Sequence, residues 1–155
     1  MAVETIRLTV PATSAAVRIT RAGAAGLATR AGFTYREVEQ MRLAVSEATA
    51  LLARLPEEGR LVVVYSLRRD GIDVEVRRDL DPDLGGPGPA PEVKVTELGA
   101  LLLDACVDGW EVSPFDGTVT LPKTITHYDG EDEHDRQAAL AAVVAVAARP
   151  LGDVE

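Results

Sequence analysis

Ile6, Leu8 and Val10 alternate with Thr5, Arg7 and Thr9, the period-two pattern of a strand with one buried face. Pro11 ends this run, Thr13 or Ser14 can cap a helix reaching to about Ala31, and Gly32 supplies its stop. The apolar line of that helix, Val17, Ala24, Leu27, Ala28 and Ala31, is rich in alanine, with Gly23 and Gly26 between. A second helix, predicted from Tyr35 to Leu55, is better marked. Thr34 is its N-cap, Glu37 completes a capping box, and Phe33 and Val38 stand where a hydrophobic staple needs them. Val38, Met41, Val45, Ala48 and Leu52 fall on one narrow stripe at ~100° per residue, the expected core face.

Two apolar runs, Leu61 to Leu67 and Ile72 to Arg78, flank Arg68-Arg-Asp-Gly71, an Asp-Gly turn signal that predicts a hairpin. Residues 79–91 are dense in Pro, Gly and Asp and read as a loop. Thr96 to Val107 reads as a short helix, and Trp110 to Val112 and Thr118 to Leu121 as strands joined across Pro114-Phe-Asp-Gly117. Beyond a polar stretch, Lys123 to His134, the pattern becomes an alanine-rich helix from Asp135 to Arg149, closed by Pro150 and presenting Leu140, Val143, Val144 and Ala147 on one side. The order β-α-α-β-β-loop-α-β-β predicts an α/β two-layer sandwich, a mixed or antiparallel sheet with helices on one face. The expected division is a domain over 1–123, an acidic linker over 124–134 and a C-terminal helix over 135–149, which docks on its own domain or on a second copy.

At 155 residues, 46% hydrophobic and 26% charged, the chain is of one-domain size and of ordinary globular composition. The N-terminus alternates and carries charge, so it reads as a strand rather than a leader, and no apolar run approaches the length of a membrane span. Cys106 is alone, which excludes an internal disulfide and suits a reducing, cytoplasmic setting. It reads as a core residue rather than a nucleophile. A formal net charge of −9 argues against direct binding to nucleic acid and leaves a protein partner open. His127 and His134 stand among five acidic residues without the spacing of a metal site.

Residues 25–48, Ala-Gly-Leu-Ala-Thr-Arg-Ala-Gly-Phe-Thr-Tyr-Arg-Glu-Val-Glu-Gln-Met-Arg-Leu-Ala-Val-Ser-Glu-Ala, resemble the first two helices of the RsbW-type anti-sigma factors. These are small serine kinases of the GHKL (Bergerat-fold, histidine kinase-like) ATPase superfamily. Ala44-Val-Ser-Glu-Ala48 is similar to the start of that family's N-box, and Leu98 to Asp108 with Asp116-Gly-Thr118 to its second glycine box and closing strand. The resemblance spans about Thr5 to Lys123. It implies a Bergerat-type sandwich that silences an alternative sigma factor, exchanges it for an anti-anti-sigma protein, and phosphorylates that protein on serine with Mg-ATP.

Carried over residue by residue, the resemblance makes Glu47 the catalytic general base and Glu47, Asp79, Gly99, Gly117 and Thr118 the nucleotide-site candidates. It also makes Arg21 a partner contact, with Arg18 and Arg30 beside it, against the alternative of three solvated arginines. Four positions depart from the family's pattern: Leu51, Arg78, Leu80 and Glu97. Leu51 replaces the asparagine that holds magnesium, and leucine offers no oxygen to a hard cation. Arg78 replaces the aspartate that accepts from adenine, and arginine has donors only. Asp79 comes one residue late, so an unbulged strand points it to the other face. Leu80 and Glu97 stand where the family has glycines. The expectation is an anti-sigma factor with a degenerate ATP site, not a working enzyme, with no metal or cofactor unless the site functions. The alternatives are an active Mg-ATP-dependent serine kinase, or the same fold binding something unrelated. Homodimerisation is left open.

Overall fold

A computed structural model describes residues 4–53, 59–79 and 92–125. The predicted linker and C-terminal helix, and most of the Pro/Gly-rich loop, lie outside the described residues. Strand β1 (Glu4–Pro11) is followed by helices α1 (Ser14–Arg30) and α2 (Tyr35–Ala53), then the hairpin β2 (Arg60–Arg68) and β3 (Gly71–Asp79). Helix α3 (Glu97–Cys106) and strands β4 (Glu111–Val112) and β5 (Val119–Thr124) complete the order. The strands form one sheet in the order β1-β2-β3-β5-β4, antiparallel at every pairing. This is the expected α/β sandwich.

Register explains which residues meet the helices. Ile6, Tyr65, Val74 and Leu121 form one row across the sheet, and Leu8, Val63, Val76 and Val119 form the next. A third row, Val10, Leu61 and Arg78, continues the same face. Apart from the partly buried Ile6 and Leu8, the residues of these rows are buried, because a pleated strand sends alternate side chains to one side.

Helix α2 enters as its sequence demands. The Thr34 amide donates to Glu37 Oε2 at 2.8 Å and the Glu37 amide to Thr34 Oγ1 at 3.3 Å, the reciprocal capping box. Phe33 and Val38 are both buried, and the whole stripe Val38, Met41, Val45, Ala48 and Leu52 lies in the core.

Helix α1 departs from the pattern predicted for it. Its buried residues are Ala16, Thr20, Ala24 and Ala28, whereas Val17, Leu27 and Ala31 are only partly buried. A threonine was not expected in the core. Its hydroxyl is satisfied there, lying 3.0 Å from the Ala16 carbonyl oxygen and 3.0 Å from Thr49 Oγ1 of α2, so its burial carries no desolvation debt. Tyr65 reaches up from the sheet and donates to the Thr20 carbonyl at 2.7 Å. A Cβ on Gly23 would stand 3.0 Å from that phenol oxygen, so glycine leaves the ring its space. Gly32, with φ of 89°, takes the left-handed position just past the helix end.

Two strands are longer or shorter than predicted. β4 begins at Glu111 rather than Trp110, and β5 runs on to Thr124 through Pro122 and Lys123. Lys123 is 2% exposed, on the helix side of β5. Its ammonium donates to the Cys106 carbonyl at 2.8 Å, a positive charge at the negative end of α3. Thr96 caps the other end of α3, its hydroxyl accepting from the Gly99 amide at 3.0 Å.

Candidate functional site

Glu47 projects from the fourth turn of α2 toward the start of α3. A Cβ built on Gly99 would stand 2.7 Å from Glu47 Oε1 and 3.1 Å from Thr96 Oγ1. The carboxylate therefore occupies the notch that the missing side chain leaves. Gly99 is the third residue of α3, so this carboxylate lies at a helix N-terminus, where backbone N–H groups point outward and favour negative charge. Glu47 and Gly99, 52 positions apart by their numbers, are the two candidates that the fold brings into contact.

One turn beyond Glu47, Leu51 is 5% exposed. Leu43, one turn before, is partly buried against the core. The line Leu43–Glu47–Leu51 thus presents a single oxygen-bearing side chain between two hydrocarbon ones. A hard divalent cation asks for several oxygens, and leucine contributes none.

Arg78 is buried at 9% exposure, in the row with Val10 and Leu61. Its Nη1 donates to the Leu52 carbonyl at 3.4 Å, near the C-terminus of α2, where the chain's own carbonyls want donors. The register of β2 with β3 runs unbroken from Arg68–Gly71 to Arg60–Asp79. With no bulge, Asp79 takes the opposite face and is exposed. The structure thus puts Arg78 on the helix side and turns Asp79 away from it.

Gly117 and Thr118 belong to the turn that enters β5. The Ser113 amide donates to the Thr118 carbonyl at 2.8 Å and the Gly117 amide to the Ser113 carbonyl at 3.0 Å. Gly117 has φ of 71°, and Asp116 Oδ1 accepts from the Thr118 amide at 2.9 Å. That backbone hydrogen bond, helped by the Thr118 and Ser113 hydroxyls and by nearby Arg77, holds the Asp116 carboxyl below its usual range. The turn is locally complete, and its residues are accounted for by entry into the strand. Glu97 stands exposed in the first turn of α3.

The partner candidates share the exposed side of α1, where Arg18 and Arg21 are both exposed. Arg30 is also exposed but is engaged within the chain, its Nη1 lying 2.6 Å from Glu4 Oε1 of β1. Ile19, between Arg18 and Arg21 on the outer surface, is 47% exposed. Cys106 is buried and free, and burial pushes its thiol up to about 11, with Lys123 pulling the other way. It is a core residue, as expected. Among the described residues no three His, Cys, Asp or Glu side chains gather as a metal site, and no helix is long and apolar enough to cross a membrane.

Sequence reasoning missed Thr20, Thr49, Tyr65 and Lys123. The first three are buried polar groups satisfied across elements, which no local pattern announces. Lys123 follows Val119 and Leu121 at period two, a signal that would have placed it inside had the strand been carried past Pro122.

No family model matches the chain. It is 28% identical over 147 residues to the serine-protein kinase RsbW of Halalkalibacterium halodurans, covering 86% of this chain and 89% of the relative. The RsbW kinases of Bacillus cereus (strain AH187) and Bacillus thuringiensis subsp. konkukian are 28% and 27% identical over 145 and 147 residues, covering 84% of this chain and 91% of each relative. Along nearly its whole length, and on an α/β sandwich of the expected element order, the chain is thus similar to the serine-protein kinases RsbW.

Proposed function

We propose that the chain is an anti-sigma regulatory factor that sequesters an alternative sigma factor, is countered by an anti-anti-sigma partner, and carries a nucleotide site too altered to drive its release. The observation that carries this reading is Arg78. Where the family presents an acceptor to adenine, this chain has a buried guanidinium that donates to the Leu52 carbonyl, and guanidinium cannot accept. Leu51 supports it from the other end of the site, as buried hydrocarbon where an oxygen ligand is needed.

Release is then governed by partner concentration and relative affinity, because a ligand shifts an equilibrium only by its differential affinity for the two states. The exposed face of α1, with Arg18 and Arg21, is the contact surface in this reading. The setting is the cytoplasm, where polymerase and sigma factor meet.

A second reading, an active Mg-ATP-dependent serine kinase, is favoured by Glu47. The carboxylate that would act as base is retained and lies against Gly99, and the relatives are named serine-protein kinases. In that case ATP and magnesium would be cofactors and Glu47 would polarise the attacking hydroxyl.

The two are separated by titrating the purified chain with a candidate alternative sigma factor from its own genome, with and without Mg-ATP. Sequestration predicts an affinity unchanged within about twofold by Mg-ATP and by Glu47→Ala. Magnesium-dependent transfer of phosphate to a serine of the anti-anti-sigma partner, abolished by Glu47→Ala, would overturn it in favour of the kinase.

A further inference from the structure

Between Lys94 and Lys123 the sequence holds five carboxylates, Glu97, Asp104, Asp108, Glu111 and Asp116, and no Lys, Arg or His. All five are exposed, whereas Lys123 is buried. Three of them belong to α3 and the residues just past its end. At ~100° per residue Glu97, Leu101 and Asp104 fall within ~60° of one another, on the side of α3 away from the core. Leu98 and Leu101 are 37% and 49% exposed there, while Leu103 and Cys106 are buried on the inner side. The indole of Trp110 donates to Asp104 Oδ1 at 2.7 Å, which brings that half-buried ring to the same outer surface. We propose that this side of α3, apolar at Leu98 and Leu101 and acidic at Glu97, Asp104 and Asp108, takes the basic, DNA-contacting face of the sigma factor. The proposal rests on the sequestration reading and names the second surface through which it acts.

Charge complementarity selects this occupant. A protein that reads promoter DNA neutralises phosphates with Lys and Arg, so the side it turns to DNA is basic. An acidic rim attracts such a side and repels DNA itself, and exposed leucines in its middle supply the area that a polar rim alone does not. The face of α1 with Arg18 and Arg21 has the opposite sign and cannot serve the same purpose. Two of the carboxylates are already fixed in the free protein. Asp104 is held by the Trp110 indole, and Asp108 Oδ2 accepts from the Thr124 amide at 2.5 Å, so less side-chain freedom is lost on binding. A sigma factor seated here has its DNA-contacting side covered, which is sequestration by occupation of the surface it needs.

The test titrates a candidate alternative sigma factor from the same genome with the full chain and three variants, each checked for folding by its thermal midpoint. Leu101→Ser should weaken binding about tenfold at every salt concentration, as loss of a buried apolar contact does. The isosteric pair Glu97→Gln with Asp104→Asn should weaken it about fivefold at low salt and flatten its salt dependence. The control pair, Glu75→Gln with Glu111→Gln, removes the same charge from the other face of the sheet, where register with Thr120 places both residues. It should leave affinity within about twofold of the parent. Unchanged affinity in either α3 variant would overturn the proposal, and so would equal weakening by the control pair, while sequestration itself would stand. Failure of the parent chain to bind the sigma factor would instead strike down the sequestration reading, and this surface with it.

Discussion

Oxygen Oε1 of Glu47 lies where a side chain on Gly99 would begin, 2.7 Å from the position of its Cβ. The contact ties the late part of α2 to the first turn of α3, and only glycine leaves it intact. Because the crowding atom is the tip of a flexible side chain, Gly99→Ala displaces the carboxylate rather than the backbone. The intrinsic gain of alanine over glycine in a helix, ~1 kcal/mol, offsets the strain. Stability by urea denaturation should therefore change by less than ~1 kcal/mol. A loss several times larger would show that Glu47 is held in place by more than this notch.

The substitutions at positions 51 and 78 can be reversed experimentally. Leu51→Asn with Arg78→Asp restores an oxygen ligand and an acceptor at the positions where the family has them. The double variant should bind Mg-ATP at least about tenfold more tightly than the parent, a difference of ~1.4 kcal/mol. Calorimetry measures it, with a denaturation curve to confirm folding. Unchanged affinity in a folded double variant would count against the assumed geometry.

Removing the Lys123 ammonium exposes its structural role. Lys123→Met keeps the stem's volume but takes the donor from the Cys106 carbonyl, leaving a buried acceptor at the end of α3. Net loss of such a bond costs ~1–2 kcal/mol. Urea denaturation should report a loss of that size, and amide exchange should localise the new mobility to the last turn of α3.

The thiol of Cys106 predicts a pH effect with a definite sign. Burial raises it from 9.0 to about 11, so between those values the unfolded chain loses a proton that the folded chain keeps. The stabilisation is complete below pH 9 and is lost as pH rises toward 11, amounting to ~2–3 kcal/mol at ~1.4 kcal/mol per unit. Denaturation midpoints of the parent should fall across this window more steeply than those of Cys106→Ala. Parallel curves would place the thiol in a wetter environment.

The capping box offers a local check. Thr34→Ala removes the acceptor for the Glu37 amide and should cost ~1 kcal/mol, read from the thermal midpoint. No loss would mean that Glu37 alone secures the helix start.

Much of this protein was legible residue by residue. Alternation at Ile6, Leu8 and Val10, the Thr34–Glu37 box, the stripe from Val38 to Leu52 and the Asp70-Gly71 turn are local signals. They set element type and order because backbone periodicity and capping are decided within a few residues. The parity of Arg78 and Asp79 was equally readable, since a strand without a bulge leaves no freedom in which side faces the helices. Only the tertiary structure could seat Thr20 against Thr49, lay Tyr65 under α1 beside Gly23, sink Lys123 beneath the end of α3, or bring Glu47 to Gly99. Each of these joins residues distant along the chain, and whether a polar group is tolerable inside depends on a partner that arrives only when the layers close.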